Sequence, residues 1–319
     1  MIRQGSLSGA PRPTRPSPPD QKSIPPWAWG GIGLLGVIWG GSFLSNVLLL
    51  RELGVVTTVA GRVTFAAVAL WLYVLLRGYP LPLSLRAWRD FTIMGFLNVA
   101  LPFSLIVWAQ QFVASGLASI LNAATAITGV LVAAIFFADE RLTARKMIGV
   151  ALGFLGVAVA IGADALLNFD LSSKGQIALL CASLSYGFGG AWARARLTGY
   201  RPEVAAAAML TGAMALLIPY ALVAEGIPPT QLTPTTWAAM AYLSLIATAG
   251  AFLLYYRTMP VVGAGNQSLV TLLVSPVAIV IGAVVLDETL APRAYGGFAL
   301  LALGLLVIDG RILARFKRV

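Results

Sequence analysis

The apolar residues of this chain form long runs separated by short polar connections. From Trp27 onward these runs make ten segments, each near the ~20 residues that a helix needs to span a bilayer. The segments cover residues 27–50, 57–76, 91–111, 115–138, 146–167, 175–194, 203–224, 237–257, 263–286 and 294–312. The pattern therefore predicts ten transmembrane helices, with no soluble domain inserted between them.

The basic residues of the connections predict the orientation of these helices. If the segments cross alternately, eighteen of the 22 Lys and Arg residues fall on one side, with both chain ends, and three fall on the other. Cytoplasmic loops are enriched in Lys and Arg, so both termini are predicted to be cytoplasmic. Arg62 alone lies inside a segment, near its end, where we expect its side chain to snorkel to the membrane surface. The net charge of +10 thus indicates topology, and we expect no nucleic-acid partner.

One pattern occurs twice in the chain. An apolar run ends at Asp139-Glu140 and a Gly-rich run follows; the same arrangement returns at Asp287-Glu288, 148 residues later. A fixed offset close to half the chain indicates an internal duplication. Each half holds five helices, an odd number, so the second half must enter the membrane inverted, as in secondary transporters with a site near the midplane. We interpret the acidic pairs as helix-end devices, which cap the following helix or pair with nearby basic residues.

The predicted fold class is therefore an all-α integral membrane protein with ten transmembrane helices in two inverted five-helix repeats. The predicted boundaries are a disordered Pro-rich cytoplasmic tail at 1–26, repeats at 27–167 and 168–312, and a basic cytoplasmic tail at 313–319.

Composition narrows the possible chemistry. Only 11% of the residues are charged, against about 25% in soluble domains. The chain has no His, a single Cys (Cys181) and no phosphate-binding Gly-x-x-x-x-Gly-Lys loop, so we expect no cofactor, no metal site and no catalysis. The acidic residues fall in the tail, in connections or at segment ends. With no carboxylate at a predicted midplane, we expect a neutral or zwitterionic substrate.

The candidate site consists of uncharged polar and aromatic residues within the segments. The candidate substrate-binding residues are Trp39, Ser42, Asn46, Asn98, Trp108, Gln110, Asn122, Tyr186, Trp192 and Ser275. For each polar residue the alternative is an interhelical hydrogen bond, which contributes about 0.6 kcal/mol. Trp39 lies at the middle of its segment beside Gly40-Gly41, and Tyr186-Gly187 holds the corresponding place in segment six. Such a pair suits either a cavity wall or simple aromatic packing against glycine.

Two further features concern helix shape and packing. Pro102 and Pro276 lie inside segments three and nine, where they remove a helix hydrogen bond and permit kinks that could serve gating or mere curvature. Segments five and ten carry spaced small residues: Gly149, Gly153, Gly156 and Ala160, matched by Gly297 and Gly304. This spacing permits close helix approach, so we expect these two helices to be packing elements.

The chain resembles the drug/metabolite transporter superfamily, in its ten-helix EamA-type branch. The likeness depends on Trp39-Gly40, Gly116-Leu117-Ala118-Ser119, Pro276 and the two closing motifs, Asp139-Glu140-Arg141-Leu142 with Gly149 and Asp287-Glu288-Thr289-Leu290 with Gly297. Thr128 departs from the pattern, because Pro276 has no counterpart in the first repeat. Length and aromatic content are most similar to aromatic amino-acid exporters of the YddG type. The resemblance implies a bacterial inner membrane and a central cavity walled by helices 1, 3, 4, 6, 8 and 9.

These observations together predict a secondary transporter that exports small neutral or zwitterionic metabolites, such as amino acids with aromatic or large apolar side chains, by alternating access. Its partners would be a small-molecule substrate and the lipid bilayer, and it would act as a monomer or weak homodimer. The alternatives are an exporter of drugs or nucleotide sugars, a passive channel, and a membrane-embedded lipid-modifying enzyme. An anionic nucleotide sugar would need basic residues in the cavity, and only Arg62 or Arg194 is available.

Overall fold

The computed structural model describes residues 25–138, 143–161, 171–267 and 270–309, and every regular element in these ranges is helical. The helical segments are α1 (Pro26–Leu49), α2 (Val55–Leu76), α3 (Leu85–Gly95, Phe96–Ala100 and Leu101–Ala109), α4 (Ser115–Asn122 and Thr125–Phe136), α5 (Ala144–Ile161), α6 (Leu171–Arg196), α7 (Pro202–Ala224), α8 (Pro234–Ala241, Tyr242–Gly250 and Ala251–Gln267), α9 (Val270–Val285) and α10 (Pro292–Asp309). The predictions for the N-terminal tail up to residue 24, for Asp139-Glu140 and for residues 313–319 concern positions outside the described residues.

Six helices in the described part of the chain are long and apolar enough to cross a membrane: Pro26–Leu49, Val55–Leu76, Leu85–Ala109, Ser115–Phe136, Pro202–Ala224 and Pro234–Thr258. Leu273–Val285 and Pro292–Ile308 are shorter apolar helices. The chain is therefore a helical protein with several apolar spans, while the number of crossings stays a prediction.

The helix ends follow from local sequence. Pro stands in the first turn of α1, α7 and α8, where its missing N–H costs no hydrogen bond. The hydroxyls of Ser84 and Thr233 accept hydrogen bonds from the first turns of α3 and α8. Gly78 and Gly226 have φ angles of 61° and 80° just after α2 and α7, a left-handed conformation that ends a helix and favours glycine.

Two helices contain a π-helical stretch. These stretches are Phe96–Ala100 in α3 and Tyr242–Gly250 in α8, so an offset of 148 residues superimposes the first on the second. A π-helix shifts the backbone hydrogen bonds by one residue and is often found at functional sites. The duplication visible in the sequence thus has a counterpart in backbone geometry.

The prediction that α5 and α10 are packing elements is confirmed, since the two helices pack along each other through their glycines. A methyl group added at Gly149 would lie 2.6 Å from the carbonyl oxygen of Gly304. One added at Gly156 would lie 2.6 Å from the carbonyl oxygen of Gly297. The backbones therefore meet without side chains between them.

The helices enclose two large apolar clusters. α2 packs on α7, α1 on α9, and α6 on both α3 and α4. Residues of α1, α4 and α9 form much of one cluster, and residues of α2, α3 and α7 form much of the other. Tyr186 of α6 packs against both, so it lies at their junction. Tyr186 therefore marks the place where the two clusters meet in the interior of the bundle.

Candidate functional site

The π-helical stretch of α8 is the point on which side chains from α1 and α2 converge. The Trp39 indole Nε1–H donates to the carbonyl oxygen of Ala247 at 3.1 Å. The Tyr242 hydroxyl donates in the other direction, to the carbonyl oxygen of Ile38 at 2.8 Å. Both contacts join the middle of α1 to the middle of α8.

Arg62 of α2 reaches the same stretch, and this corrects the prediction that its side chain snorkels to the membrane surface. Only 6% of the residue is exposed, and its Nε–H donates to Thr248 Oγ1 at 2.8 Å. The guanidinium carbon lies 3.8 Å from the centroid of the Phe103 ring, a cation–π contact. α2 is rotated so that Arg62 faces the bundle, an orientation that its position in the sequence does not reveal.

Aromatic rings surround this contact. The ring centroids of Trp39 and Tyr255 are 5.9 Å apart, and Tyr186 packs against the apolar cluster that contains Phe103. We call Trp39, Arg62, Phe103, Tyr186, Thr248 and Tyr255 the central cluster. Its members combine one cation with flat apolar surfaces and hydroxyl groups, which suits a ligand that has an apolar body and an anionic or polar end.

Three of the predicted substrate-binding residues lie near one end of the bundle. The Asn46 Nδ2–H donates to Gln110 Oε1 at 2.7 Å, and Gln110 Nε2–H donates to the carbonyl oxygen of Phe43 at 2.9 Å. Ser42 is buried and donates to the carbonyl oxygen of Ile38, one turn earlier in its own helix. The Asn46–Gln110 pair joins α1 to α3 about two turns from Trp39.

The other predicted residues are spread through the bundle. Ser275 donates to the carbonyl oxygen of Ser119, which ties α9 to α4. Asn98 donates to the Met209 sulfur at 3.7 Å, in the π-helical stretch of α3. The Asn122 side-chain oxygen is buried and has no hydrogen-bond partner in the described part of the chain.

Two predicted aromatic residues stand apart from the central cluster. Trp108 packs edge-on against Phe112, with ring centroids 5.3 Å apart. Trp192 donates to the carbonyl oxygen of Asp90 at 3.0 Å, near the start of α3 and thus at the opposite end of the bundle from Asn46. The structure brings Trp39 and Tyr186 together with Arg62, and it does not gather all ten predicted residues into one site.

The two prolines occupy different places in their helices. Pro102 is buried in the first turn of Leu101–Ala109, directly after the π-helical stretch of α3. Pro276 lies inside α9, one residue after Ser275. Both therefore interrupt helix hydrogen bonding beside elements of the candidate site.

Three glutamates bind helix N-termini at the end of the bundle that holds Asn46 and Gln110. Glu225 accepts from the backbone N–H groups of Val56 and Thr57, at 2.9 and 2.8 Å. Glu288 accepts from the N–H groups of Ser115 and Gly116, at 3.0 and 3.4 Å. Glu52 accepts from the N–H of Thr233 at 2.9 Å and from its hydroxyl at 2.5 Å.

These contacts, the glutamate clasps, refine the interpretation of the acidic pairs. Glu288 does cap a helix, but the helix is α4, far away in the sequence, and not the following helix α10. A carboxylate is favourable there because the first amides of a helix carry partial positive charge. The hydroxyl and amide of Thr233 lower the pKa of Glu52 below its ordinary value.

The described residues contain no group of His, Cys, Asp or Glu that could hold a metal ion. A cleft of about 410 Å³ lies between α1 and α8, lined by Trp27, Leu254 and Arg257. Trp27 is the second residue of α1, roughly 18 Å of helix from Trp39. The cleft lies toward the end of the bundle opposite the glutamate clasps, and Leu254 in its lining directly precedes Tyr255 of the central cluster.

Comparison with known proteins gives a family match over most of the chain. The model of the EamA-like transporter family matches twice, over residues 27–162 and 173–309. The crystal structure of another protein superimposes with a TM-score of 0.65, covering 90% of this chain and 98% of that protein's chain, at 19% sequence identity. That likeness concerns the fold alone.

Two curated relatives span nearly the same length. A probable terminal-alkyne amino-acid exporter of Streptantibioticus cattleyicolor is 29% identical over 282 residues, 88% of this chain and 92% of the relative. The uncharacterized transporter YoaV of Bacillus subtilis is 22% identical over 277 residues, 86% of this chain and 94% of the relative.

Proposed function

This chain belongs to the EamA-like transporter family, and from that premise we propose that it exports small zwitterionic metabolites, namely amino acids with aromatic or large apolar side chains. It is a multi-pass membrane transporter, and its curated relatives are named as transporters rather than enzymes. The proposal adds the substrate class, a bacterial inner membrane with both termini in the cytoplasm, and a monomer or weak homodimer as the working unit.

The observation that carries the substrate class is the central cluster. The ring centroids of Trp39 and Tyr255 are 5.9 Å apart, so the two rings pack on each other, and Arg62 of α2 and Thr248 of α8 supply polar groups nearby. An aromatic or large apolar side chain would pack against the outer faces of these rings, and the charged end of an amino acid would meet Arg62. The amino-acid exporter of Streptantibioticus cattleyicolor is a relative with a consistent class of substrate.

We further propose that ten helices form two inverted halves that rock about the central cluster. Three features support this: the twofold family match, the coincidence of the two π-helical stretches at an offset of 148 residues, and the pairing of equivalent helices. α2 packs on α7 and α5 on α10, while α1 meets α9 as α6 meets α4. When the two halves are exchanged, the α2–α7 pair and the α5–α10 pair each map onto themselves, and the α1–α9 pair maps onto the α6–α4 pair.

In this mechanism the glutamate clasps and the Asn46–Gln110 pair hold one end of the bundle closed. Opening that end requires α1, α3, α4 and α8 to separate, while the opposite end closes. The substrate would bind at the central cluster between the two movements, in line with alternating access around a midplane site. Among the described residues no carboxylate forms an ion pair with Arg62, which leaves this cation to meet the charged end of the substrate.

The test is counterflow of L-phenylalanine and L-tryptophan in vesicles that contain the purified full-length protein. We expect saturable uptake against preloaded substrate, and the Trp39→Ala variant should lose it while still being expressed, with a lower melting temperature because the indole also packs against the core. The reason is that this change removes both the ring face and the hydrogen bond to Ala247. If Trp39→Ala shows counterflow at the rate of the wild type, Trp39 is not part of the substrate site. If the wild-type protein shows no counterflow with any of the twenty amino acids, the proposed substrate class is refuted.

A further inference from the structure

Arg62 is a cation placed deep in the bundle. It lies seven residues after Val55, so about 10 Å of helix separates it from the start of α2. Only 6% of it is exposed, and no carboxylate of the described residues lies within ion-pair distance of its guanidinium. A buried charge is costly unless it is paired, so a cation held here without a counter-ion calls for an anionic ligand.

Its neighbours orient the guanidinium without neutralising it. Thr248 accepts from Nε–H, and the Thr248 hydroxyl proton is engaged with the carbonyl oxygen of Leu243 at 2.8 Å. The Phe103 ring lies against the guanidinium at 3.8 Å. A guanidinium has five N–H donors, and in the described part of the chain only Nε–H has an acceptor. The four Nη–H donors form a fork that matches a carboxylate.

The other half of the chain has no cation at the corresponding position. The 148-residue offset places the buried Leu210 where Arg62 stands in the first half. The same offset places Ala100, in the π-helical stretch of α3, where Thr248 stands in that of α8, and Leu210 and Ala100 belong to one buried apolar cluster. Packing of this helix pair therefore does not require a cation, and the charge of Arg62 is a feature of one half only.

We infer that Arg62 binds the carboxylate of the transported solute, with Thr248 holding the guanidinium in plane and the aromatic rings of the central cluster taking the apolar part. This rests on the proposed function and sharpens it, because it makes a carboxylate the feature that the site selects. Compounds that have the same apolar part but carry an ester, amide or amine in place of the carboxylate should then bind poorly. Trp39 reaches the residue next to Thr248, so ring and cation lie at the same depth in the bundle.

The experiment compares two probes of the same shape, phenylacetate and 2-phenylacetamide, on the purified full-length protein in detergent. Binding is followed by tryptophan fluorescence, and L-phenylalanine counterflow is measured in vesicles. The wild type should prefer phenylacetate, and Arg62→Gln should weaken phenylacetate binding by about 10- to 100-fold, as expected for a lost charge-assisted hydrogen bond. Binding of the amide should stay within about twofold.

Three further variants separate binding from folding. Arg62→Lys keeps the charge without the fork, and Thr248→Val keeps Arg62 but removes its acceptor; both should reduce the preference for phenylacetate to an intermediate value. If Arg62→Gln does not fold, Arg62→Lys and Thr248→Val test whether Arg62 binds the carboxylate. Arg77→Gln removes a cation from the exposed end of α2 and should bind both probes as the wild type does.

Equal loss of both probes in Arg62→Gln would overturn the inference, since Arg62 would then only tie α2 to α8. No preference for phenylacetate in the wild type would also overturn it. Arg62-dependent phenylacetate binding without any amino-acid counterflow would support the carboxylate site and refute the proposed substrate class. If L-phenylalanine shows counterflow but Arg62→Gln binds phenylacetate and 2-phenylacetamide in the same ratio as the wild type, the proposed substrate class is supported and the carboxylate site is refuted.

Discussion

Gly296 and Gly297 are neighbours in α10 that face different surroundings, and together they test how closely α5 and α10 pack. A methyl group at Gly297 would lie 2.5 Å from the backbone N of Ala160 and 2.5 Å from the carbonyl oxygen of Gly156. At Gly296 nothing lies within 4 Å. We predict that Gly297→Ala destabilises the protein and that Gly296→Ala does not.

The magnitude follows from the geometry. The added methyl group would sit roughly 0.9 Å inside the ordinary contact distance of 3.4 Å, against backbone atoms that cannot rotate away. Overpacking of this kind costs about 1–3 kcal/mol. Replacing Gly by Ala inside a helix contributes about 1 kcal/mol in favour of folding, and this gain is common to both variants. Their free energies of unfolding should therefore differ by ~1–3 kcal/mol, with Gly297→Ala the less stable.

The measurement is unfolding of the two purified variants and the wild type in the same detergent, by heating and by titration with sodium dodecyl sulfate. Gly296→Ala serves as the matched control, since it carries the same chemical change one residue away. Equal stability of the two variants, or a more stable Gly297→Ala, would refute the close backbone contact between α5 and α10.

Two further predictions concern the glutamate clasps. Glu288→Gln should lower the free energy of unfolding by about 1 kcal/mol, because the amides of Ser115 and Gly116 lose a carboxylate cap; an unchanged detergent melt would contradict this. Glu52 should titrate below the ordinary glutamate pKa of about 4.3, so its contact with Thr233 is complete above that value and is lost as the pH falls through the lowered pKa. Thr233→Ala should raise the pKa of Glu52 toward the ordinary value in a carbon-13 NMR titration, and an unchanged midpoint would show that the hydroxyl is not the cause.

Features that depend on spacing along one helix could be predicted from the sequence. The glycines of α5 and α10 recur on one helical face, and such a face permits close approach whatever the rest of the fold does. The segment positions are local in the same way, since a run of apolar residues indicates a buried or lipid-facing helix without reference to its neighbours.

Features that depend on how helices rotate and meet could not be predicted. The position of Arg62 near the end of a segment is compatible with a side chain directed to the surface or into the bundle, and packing of α2 against its neighbours selects the second. The π-helical stretch that receives Trp39 and Arg62 has no sequence signature of its own. Gln110 and Asn46 were predicted singly, and their mutual hydrogen bond depends on the approach of α1 to α3.

The glutamate clasps have a consequence for the order in which the protein is made. Glu225 and Glu288 follow their partners by 169 and 173 residues, so the ribosome completes α2 and α4 long before their caps exist. Until then the first amides of both helices must be satisfied by water or lipid headgroups at the bilayer surface. The first half therefore enters the membrane with two unfinished helix ends, and synthesis of the second half completes them.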